Sequence, residues 1–366
     1  MRSVLAVAPG LAGPLASGYH GPPELTVTRA LTEWTLDPWM LALIVLLGGA
    51  YLAGVRRARA RGAEWSVARP IWFCGLGLGF LVIATMSWVG VYQSVLMYAR
   101  AVQTVLLVLV VPLFLALGRP LTLFAAVFPR PGTRLEAIIR SRPARIVTFP
   151  AITTFALVGV PFVMWFTTWY TAVFHSTTVR ELTYLILMMP GYVFFWTLLR
   201  VDPVPKEYPY AVSMWITGAE VIGDAFFGVA VIADQNLIGA AYYHALARPW
   251  GPTLATDQVI AGGVLWILGD LVGLPFLAVQ LIHLMREDES DAARIDAELD
   301  AQQAQPEPAQ SAPAQLQPTP AQAATAQAQP GESPGPHEPT DDQKPQGSQP
   351  WWETDPRFTS RFKPTS

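Results

Sequence analysis

Long apolar stretches separated by polar connections fill the chain up to about residue 285. A helix needs about 20 apolar residues to cross the hydrocarbon core of a bilayer, where the backbone finds no water and must bond within itself. Stretches of this kind lie at 38–55, 71–91, 94–117, 146–169, 182–199, 211–232 and 258–284. The pattern predicts an all-α fold: a polytopic membrane bundle of seven transmembrane helices over residues 38–285.

The apolar pattern ends near Arg286, and the composition changes there. Residues from Glu287 to about Ala304 favour a short acidic helix, and the Ala-, Gln- and Pro-rich residues that follow lack the periodicity needed to bury a core. We therefore predict that residues 286–366 form a disordered tail, acidic at first and then rich in Pro, Ala and Gln. Its last segment carries aromatic residues, and it is either a docking segment for a protein partner or a frayed end: Trp351, Trp352, Phe358 and Phe362.

Composition agrees with a membrane protein, since 52% of the residues are hydrophobic and 14% are charged. The formal charge of −3 conceals a basic membrane part, because residues 286–366 alone hold 6 basic and 14 acidic side chains. The one cysteine, Cys74, excludes a disulfide or a cysteine-pair metal site within the chain.

Arginines cluster in alternate connections between the predicted helices. Basic residues of short loops are retained on the cytoplasmic side, so both clusters predict cytoplasmic connections. They follow the first helix (Arg56, Arg57, Arg59, Arg61, Arg69) and the third (Arg119, Arg130, Arg134, Arg140, Arg142, Arg145). We predict a multi-pass plasma membrane protein whose N-terminal segment, residues 1–37, lies outside the cell and whose tail is cytoplasmic.

Four ionisable side chains fall inside predicted helices, where each costs roughly 2.5–3.5 kcal/mol at mid-helix. They are Arg100 on the third helix, Glu220 and Asp224 on the sixth, and Asp270 on the seventh. Their depths favour an ion pair between Arg100 and Asp224, with Glu220 or Asp270 protonated or hydrogen-bonded nearby. A structural polar cluster is the interpretation we favour, and a proton or ion path is the functional alternative.

Three histidines, His20, His175 and His244, fall on the predicted outer side and are the candidate metal ligands, since imidazole suits copper and zinc. No His-x-x-x-His pair and no Met-rich cluster supports such a site. The sequence also lacks a phosphate-binding glycine loop, a nucleophile elbow and the spacing of a catalytic triad. We therefore expect neither an enzyme nor a nucleic-acid-binding protein.

Several short motifs resemble the CtaG-type (caa3-family) cytochrome c oxidase assembly factors of actinobacteria. They are Trp34 with Asp37-Pro38, Tyr51-Leu52, Pro112 with Gly118 and Pro120, Pro190-Gly191-Tyr192-Val193-Phe194-Phe195-Trp196, Val201-Asp202-Pro203-Val204-Pro205, Asp257-Gln258, Gly262-Gly263, Trp266 and Gly269-Asp270. The likeness covers residues 34–300. Its framework positions are Gln103, Gly191, Trp196, Asp202, Pro203, Asp257, Gln258, Gly262, Gly263 and Trp266.

The resemblance implies a non-enzymatic assembly or accessory factor for the respiratory oxidase, related to maturation of its copper centre. Its implied partners are oxidase subunits, beside the lipid bilayer. The family has His-Met-x-Gln-His on its third helix, where this chain reads Arg100-Ala101-Val102-Gln103-Thr104, and residues 180–186 of the fifth helix contain no histidine. The usual copper ligands are thus missing. The alternative is a small transporter or channel that uses Glu220, Asp224 and Asp270. A heme- or quinone-linked enzyme ranks last because paired intramembrane histidines are absent.

Overall fold

The protein forms a bundle of long helices in a computed structural model that describes residues 18–205 and 210–303, with no strand among them. Six of these helices are long and apolar enough to cross a membrane, and two shorter ones, bent by 70° at their junction, supply a seventh crossing. In chain order the spans are Pro38–Ala60, Ala68–Tyr92, Met97–Val127, Pro150–Phe166 with Trp169–His175, Thr177–Leu199, Tyr210–Ala233 and Leu254–Gln303. The predicted all-α membrane bundle is confirmed.

The bundle has two ends, which we name by their composition. The arginine-rich end is where the first span ends with Arg57 and Arg59 in its last turn. There the Tyr51 hydroxyl donates to the carbonyl oxygen of Gly118 at 2.6 Å, which fastens the first span to the third. At the opposite end, Asp37 accepts from the backbone N–H groups of Trp39 and Met40, each at 3.2 Å, and so caps the first span.

The second and third spans are not uniform α-helices. Each contains a π-helical segment, Ile71–Gly77 in the second and Leu106–Val110 in the third. Within the latter segment the carbonyl oxygen of Val108 lies against Gly191, where a Cβ atom would overlap it. Such π segments often mark functional sites or helix packing that requires an irregular backbone. Here the segment lies where Gly191 of the fifth span packs against the third.

The arginine-rich connection after the third span is helical, which the sequence analysis did not predict. Its helices are Pro129–Ile139 and Arg142–Val147, and they follow the short helix Pro120–Val127 that ends the third span; further short helices are Val27–Thr32 and Ala240–Leu246. A proline stands in the first turn of each of the first three, where its fixed φ and missing N–H suit a helix start. The fourth span correspondingly begins at Pro150 rather than at residue 146.

The seventh helix continues without a break past the predicted end at residue 284 to Gln303. The acidic helix expected after Arg286 is therefore an extension of the last span. Its exposed turns are joined by contacts of Arg294 with Asp291 at 3.3 Å and with Glu298 at 3.9 Å, one turn apart. The predicted tail from residue 304 onward, with the aromatic segment at Trp351, and residues 1–17 lie outside the described residues.

Candidate functional site

A fully buried arginine lies at the centre of a polar network in the half of the bundle near the opposite end. Arg100 is 0% exposed, three residues after the third span begins at Met97. Its Nη1 donates to the side-chain oxygens of Gln93 at 2.8 Å and Gln103 at 2.6 Å. Its Nη2 contacts the Met164 sulfur at 3.4 Å, and its Nε has no partner.

The two glutamines extend this network to the neighbouring spans. The amide nitrogens of Gln93 and Gln103 donate to the Tyr184 hydroxyl at 2.7 and 3.3 Å, and Gln103 also donates to the carbonyl oxygen of Ala84 at 2.7 Å. Arg100, Gln93, Gln103 and Tyr184 are called the arginine cluster below. It joins the second, third and fifth spans. The positive charge of Arg100 at their interface is solvated by neutral hydrogen-bond acceptors.

The carboxyl groups of the sixth and seventh spans form a second cluster. Glu220 and Asp224 interact with each other and with Asp270, and these three residues are called the carboxyl cluster below. Glu220 is 2% exposed, and one oxygen each of Glu220 and Asp270 is buried without a hydrogen-bond partner. The seventh span makes room for these side chains with glycines, since a Cβ at Gly269 would overlap Asp224 and one at Gly273 would lie 3.0 Å from the Glu220 carboxyl.

The predicted ion pair between Arg100 and Asp224 is wrong. Among the described residues Arg100 takes part in no salt bridge, and its donors contact the arginine cluster and Met164 instead. Depth explains the error. At 1.5 Å per residue, Arg100 lies about 5 Å below the start of its helix at Met97, whereas Asp224 lies about 14 Å from the end of the sixth span at Ala233.

The three histidines proposed as metal ligands are exposed and do not form a common site. His20, His175 and His244 belong to no group of three or more potential ligands anywhere in the described part of the chain. His175 instead packs its ring edge against Tyr242, with ring centroids 5.7 Å apart.

The arginine cluster also does not fit a copper ion, which the family resemblance implies for this region. The two glutamine oxygens and the Met164 sulfur, the groups able to ligate, already accept hydrogen bonds from the guanidinium of Arg100. A metal cation placed among them would stand beside a buried positive charge. The residues present therefore do not suit a copper ion at this position.

Two aspartates among the framework positions, Asp257 and Asp202, each cap the N-terminus of a helix that is distant in the sequence. At the opposite end, the Asp257 carboxylate accepts from the backbone N–H groups of Met97 and Tyr98, both at 3.1 Å, and pairs with the buried Arg248 at 3.3 Å. At the arginine-rich end, Asp202 accepts from the backbone N–H groups of Leu121, at 3.2 Å, and Thr122, at 2.9 Å. Each neutralises the positive end of a helix dipole.

Other framework residues close the remaining helix contacts. The indole of Trp196 donates to the carbonyl oxygen of Pro203 at 3.2 Å, which holds the turn after the fifth span. Gln258 donates to the carbonyl oxygens of Val231, at 3.1 Å, and Asp234, at 2.9 Å, and accepts from the N–H of Ile238 at 2.9 Å.

Small residues let the last two spans touch. A Cβ at Gly262 would lie 2.6 Å from the Gly228 carbonyl oxygen, and Trp266 packs against Gly228 as well. Gly263, in contrast, faces open space. Gly262, Gly269 and Gly273 thus lie at close contacts between the two spans, and Gly263 does not.

A pocket of about 630 Å³ opens where the fourth span bends. Its walls include Trp165, Thr168, His175, Asp234 and Tyr242. The Tyr170 and Tyr243 hydroxyls hydrogen-bond to each other at 2.9 Å among buried rings nearby, and burial raises the pKa of Tyr243 well above its ordinary value.

Some members of the arginine cluster were not predicted from the sequence. Gln93 lies in the turn between the second and third spans, outside any helical periodicity, and Tyr184 lies in a predicted helix as one of several polar or aromatic residues. The signal in the sequence is limited to Arg100 and Gln103, which are three residues apart and share one face of the third span.

Comparison with known proteins places the bundle in a family. The family model described as cytochrome c oxidase caa3 assembly factor (Caa3_CtaG) matches residues 49–287. The chain belongs to this family. The match runs from within the first span into the seventh, so it covers the arginine cluster, the carboxyl cluster and both capping aspartates.

Curated relatives from mycobacteria also match. The uncharacterized proteins Mb0105 of Mycobacterium bovis and MT0111 of Mycobacterium tuberculosis are each 30% identical over 300 residues, 79% of this chain and 45% of the relative. The uncharacterized protein ML1998 of Mycobacterium leprae is 27% identical over 293 residues, 78% of this chain and 44% of the relative. This chain therefore spans less than half the length of these relatives. No solved structure matches.

Proposed function

We propose that this membrane protein is a non-enzymatic assembly or accessory factor for the respiratory cytochrome c oxidase, acting through contacts of its helix bundle with oxidase subunits. The observation that carries the proposal is the family match, which covers the bundle from residue 49 to residue 287. The side chains that resemble the family supply its caps and helix contacts. A bundle held in one arrangement in this way suits a protein that acts by binding.

Copper delivery is not part of the proposal. A guanidinium occupies the centre of the region that the resemblance implies for ligands, and it already engages Gln93, Gln103 and Met164. We expect purified protein to contain no stoichiometric copper by elemental analysis. One copper per chain that survives dialysis against a chelator would overturn this part of the account.

We propose that the arginine-rich end faces the cytoplasm, because short basic connections are retained there. The connection after the third span supports this orientation, with Arg130, Arg134 and Arg140 on or beside one short helix. A reporter active only in the cytoplasm should give signal when inserted at Gly132 and none when inserted at Asn236. The reverse pattern would contradict the orientation.

The experiment that tests the function is purification of the tagged full-length chain from its native membranes after mild crosslinking. We expect oxidase subunits to co-purify, identified by mass spectrometry. A comparison variant is Gly191→Leu, whose side chain would overlap the third span at Val108 and disturb the packing of the bundle, so we expect it to recover fewer oxidase subunits. Equal recovery of oxidase subunits with an unrelated tagged membrane protein would refute the proposal.

A small transporter or channel remains the alternative prediction, because the carboxyl cluster lies within the spans. The decisive measurement is proton or ion flux into liposomes that contain the purified protein. Flux that is abolished in the Asp224→Asn variant would favour the transporter. Flux no greater than in empty liposomes favours the accessory factor.

A further inference from the structure

Polar side chains form a continuous stripe along one face of the sixth span. Ser213, Thr217, Glu220 and Asp224 follow one another at intervals of four, three and four residues, which places them on one side of the helix. Ser213, Thr217 and Glu220 are at most 3% exposed. From Ser213 to Asp224 the stripe is about 16 Å long at 1.5 Å per residue.

The stripe begins at the arginine-rich end of the bundle. There Arg200, which ends the fifth span, donates to the Ser213 hydroxyl at 3.1 Å. One turn further in, Gln280 of the seventh span donates to the Thr217 hydroxyl at 3.0 Å. Gln280 is 4% exposed and its side-chain oxygen has no partner, so a buried acceptor is available on the residue that bonds Thr217, one turn from Glu220.

The stripe ends toward the opposite face of the membrane. The next residue on the same face after Asp224 is Gly228, whose backbone lies directly against Gly262 of the seventh span. On the adjacent side, Phe227 packs against Phe162 at 5.7 Å and against Trp165 at 6.1 Å between ring centroids. Backbone contact and aromatic packing thus close the bundle beyond Asp224.

The charged groups that act on Glu220 and Asp224 are each other and Asp270. The fourth span, which packs against the sixth through Val158 and Gly223, has no titratable residue between Pro150 and Phe166. Three adjacent negative charges inside a bilayer would be prohibitively costly. Among the described residues no group of three carboxylates is arranged around a single metal position, so neutralisation falls to protons.

We propose that Glu220, Asp224 and Asp270 form a proton-binding site that exchanges with the aqueous phase at the arginine-rich end, along Ser213, Thr217 and Gln280, and is closed toward the opposite face. Protons enter and leave this site from one face of the membrane, so it is not a path across the membrane. Thr217 and Gln280 position the exchange route. The unpartnered oxygen of Glu220 binds the proton, and the unpartnered oxygen of Gln280 accepts a hydrogen bond from a water molecule.

Infrared spectroscopy of the purified full-length protein in lipid nanodiscs tests the protonation. At pH 7 we expect the carbonyl band of protonated carboxyl groups, and we expect it to weaken in each of Glu220→Gln and Asp224→Asn. Glu298→Gln, on an exposed turn of the last helix, is the matched control and should leave the band unchanged. A native spectrum without that band, or a band unaltered in both variants, would overturn the proposal.

Exchange into D₂O tests the route. The carboxyl band should shift quickly in the native protein and several-fold more slowly in Thr217→Val and in Gln280→Leu, while Gly263→Ala, which meets open space, serves as the unaffected control. Equal exchange rates in all four proteins would exclude this route. Glu220→Gln and Asp224→Asn are close in shape to the protonated acids, so we expect both variants to fold with native yield. A variant that fails to fold would contradict a neutral carboxyl group at its position.

Discussion

The carboxylate of Asp257, in the first turn of the seventh span, accepts a hydrogen bond from the backbone N–H of Met97, where the third span begins. The two residues are 160 positions apart in the sequence. The same carboxylate pairs with Arg248, whose side chain is 3% exposed. One aspartate thus fixes where the third span starts, and with it the depth of Arg100.

Removing this cap should be among the most damaging single changes in the chain. Asp257→Ala leaves Arg248 buried without its partner and two N–H groups unbonded, so we expect the free energy of unfolding to fall by roughly 3–5 kcal/mol. Unfolding in mixed detergent micelles, followed by circular dichroism, measures it. Glu298→Gln is the exposed control, and a change in Asp257→Ala no larger than in that control would show that the cap is dispensable.

Packing of the fifth span on the third gives a prediction with a built-in control. Gly191→Ala places a methyl group against the Val108 carbonyl oxygen, and overpacking of this kind costs roughly 1–3 kcal/mol. Gly263→Ala meets nothing within 4 Å and should leave stability unchanged or slightly improved. Folded yield and thermal midpoint in detergent compare the two. An equal fall in folded yield and thermal midpoint in both variants would mean that replacing a helix glycine destabilises the protein for a reason other than contact with a neighbouring helix.

A double-mutant cycle distinguishes the arginine cluster from the ion pair that the sequence favoured. Arg100→Leu and Asp224→Asn touch no common partner, so their effects on the free energy of unfolding should add within about 0.5 kcal/mol. Arg100→Leu with Gln103→Leu should instead show coupling of roughly 0.5–3 kcal/mol, because the two side chains bond at 2.6 Å. Strong coupling to Asp224 would restore the ion pair and reject the cluster described above.

Asp202 supplies a pH dependence. Burial raises the pKa of Asp202 above its ordinary value, although hydrogen bonds from Thr122 and Leu121 act in the other direction. Its pKa is thus higher in the folded than in the unfolded state, so its stabilising contribution is full below about pH 4 and is lost as the pH rises through the folded-state value. The free energy of unfolding of the native protein, relative to that of Asp202→Asn, should therefore fall as the pH rises above about 4. A relative free energy of unfolding that rises over this pH range would contradict a raised pKa of Asp202 in the folded state.

Particular residues show how far the sequence could be interpreted. Apolar stretch lengths identified the spans because the thickness of the bilayer fixes the length of a crossing helix. The partner of Arg100 could not be found in this way, since it depends on where the third span begins, and that position is set by the distant Asp257. Gly262 and Gly263 are identical in sequence terms, yet one contacts Gly228 and the other faces open space.

The central claim, a role in building the respiratory oxidase, is tested most directly by the oxidase content of membranes from a strain of the native organism that lacks this protein. Reduced-minus-oxidised difference spectra report the oxidase hemes. We predict a marked loss of that signal, restored by the native gene and by Glu298→Gln but not by Asp257→Ala. An unchanged oxidase signal in the deletion strain would contradict the account.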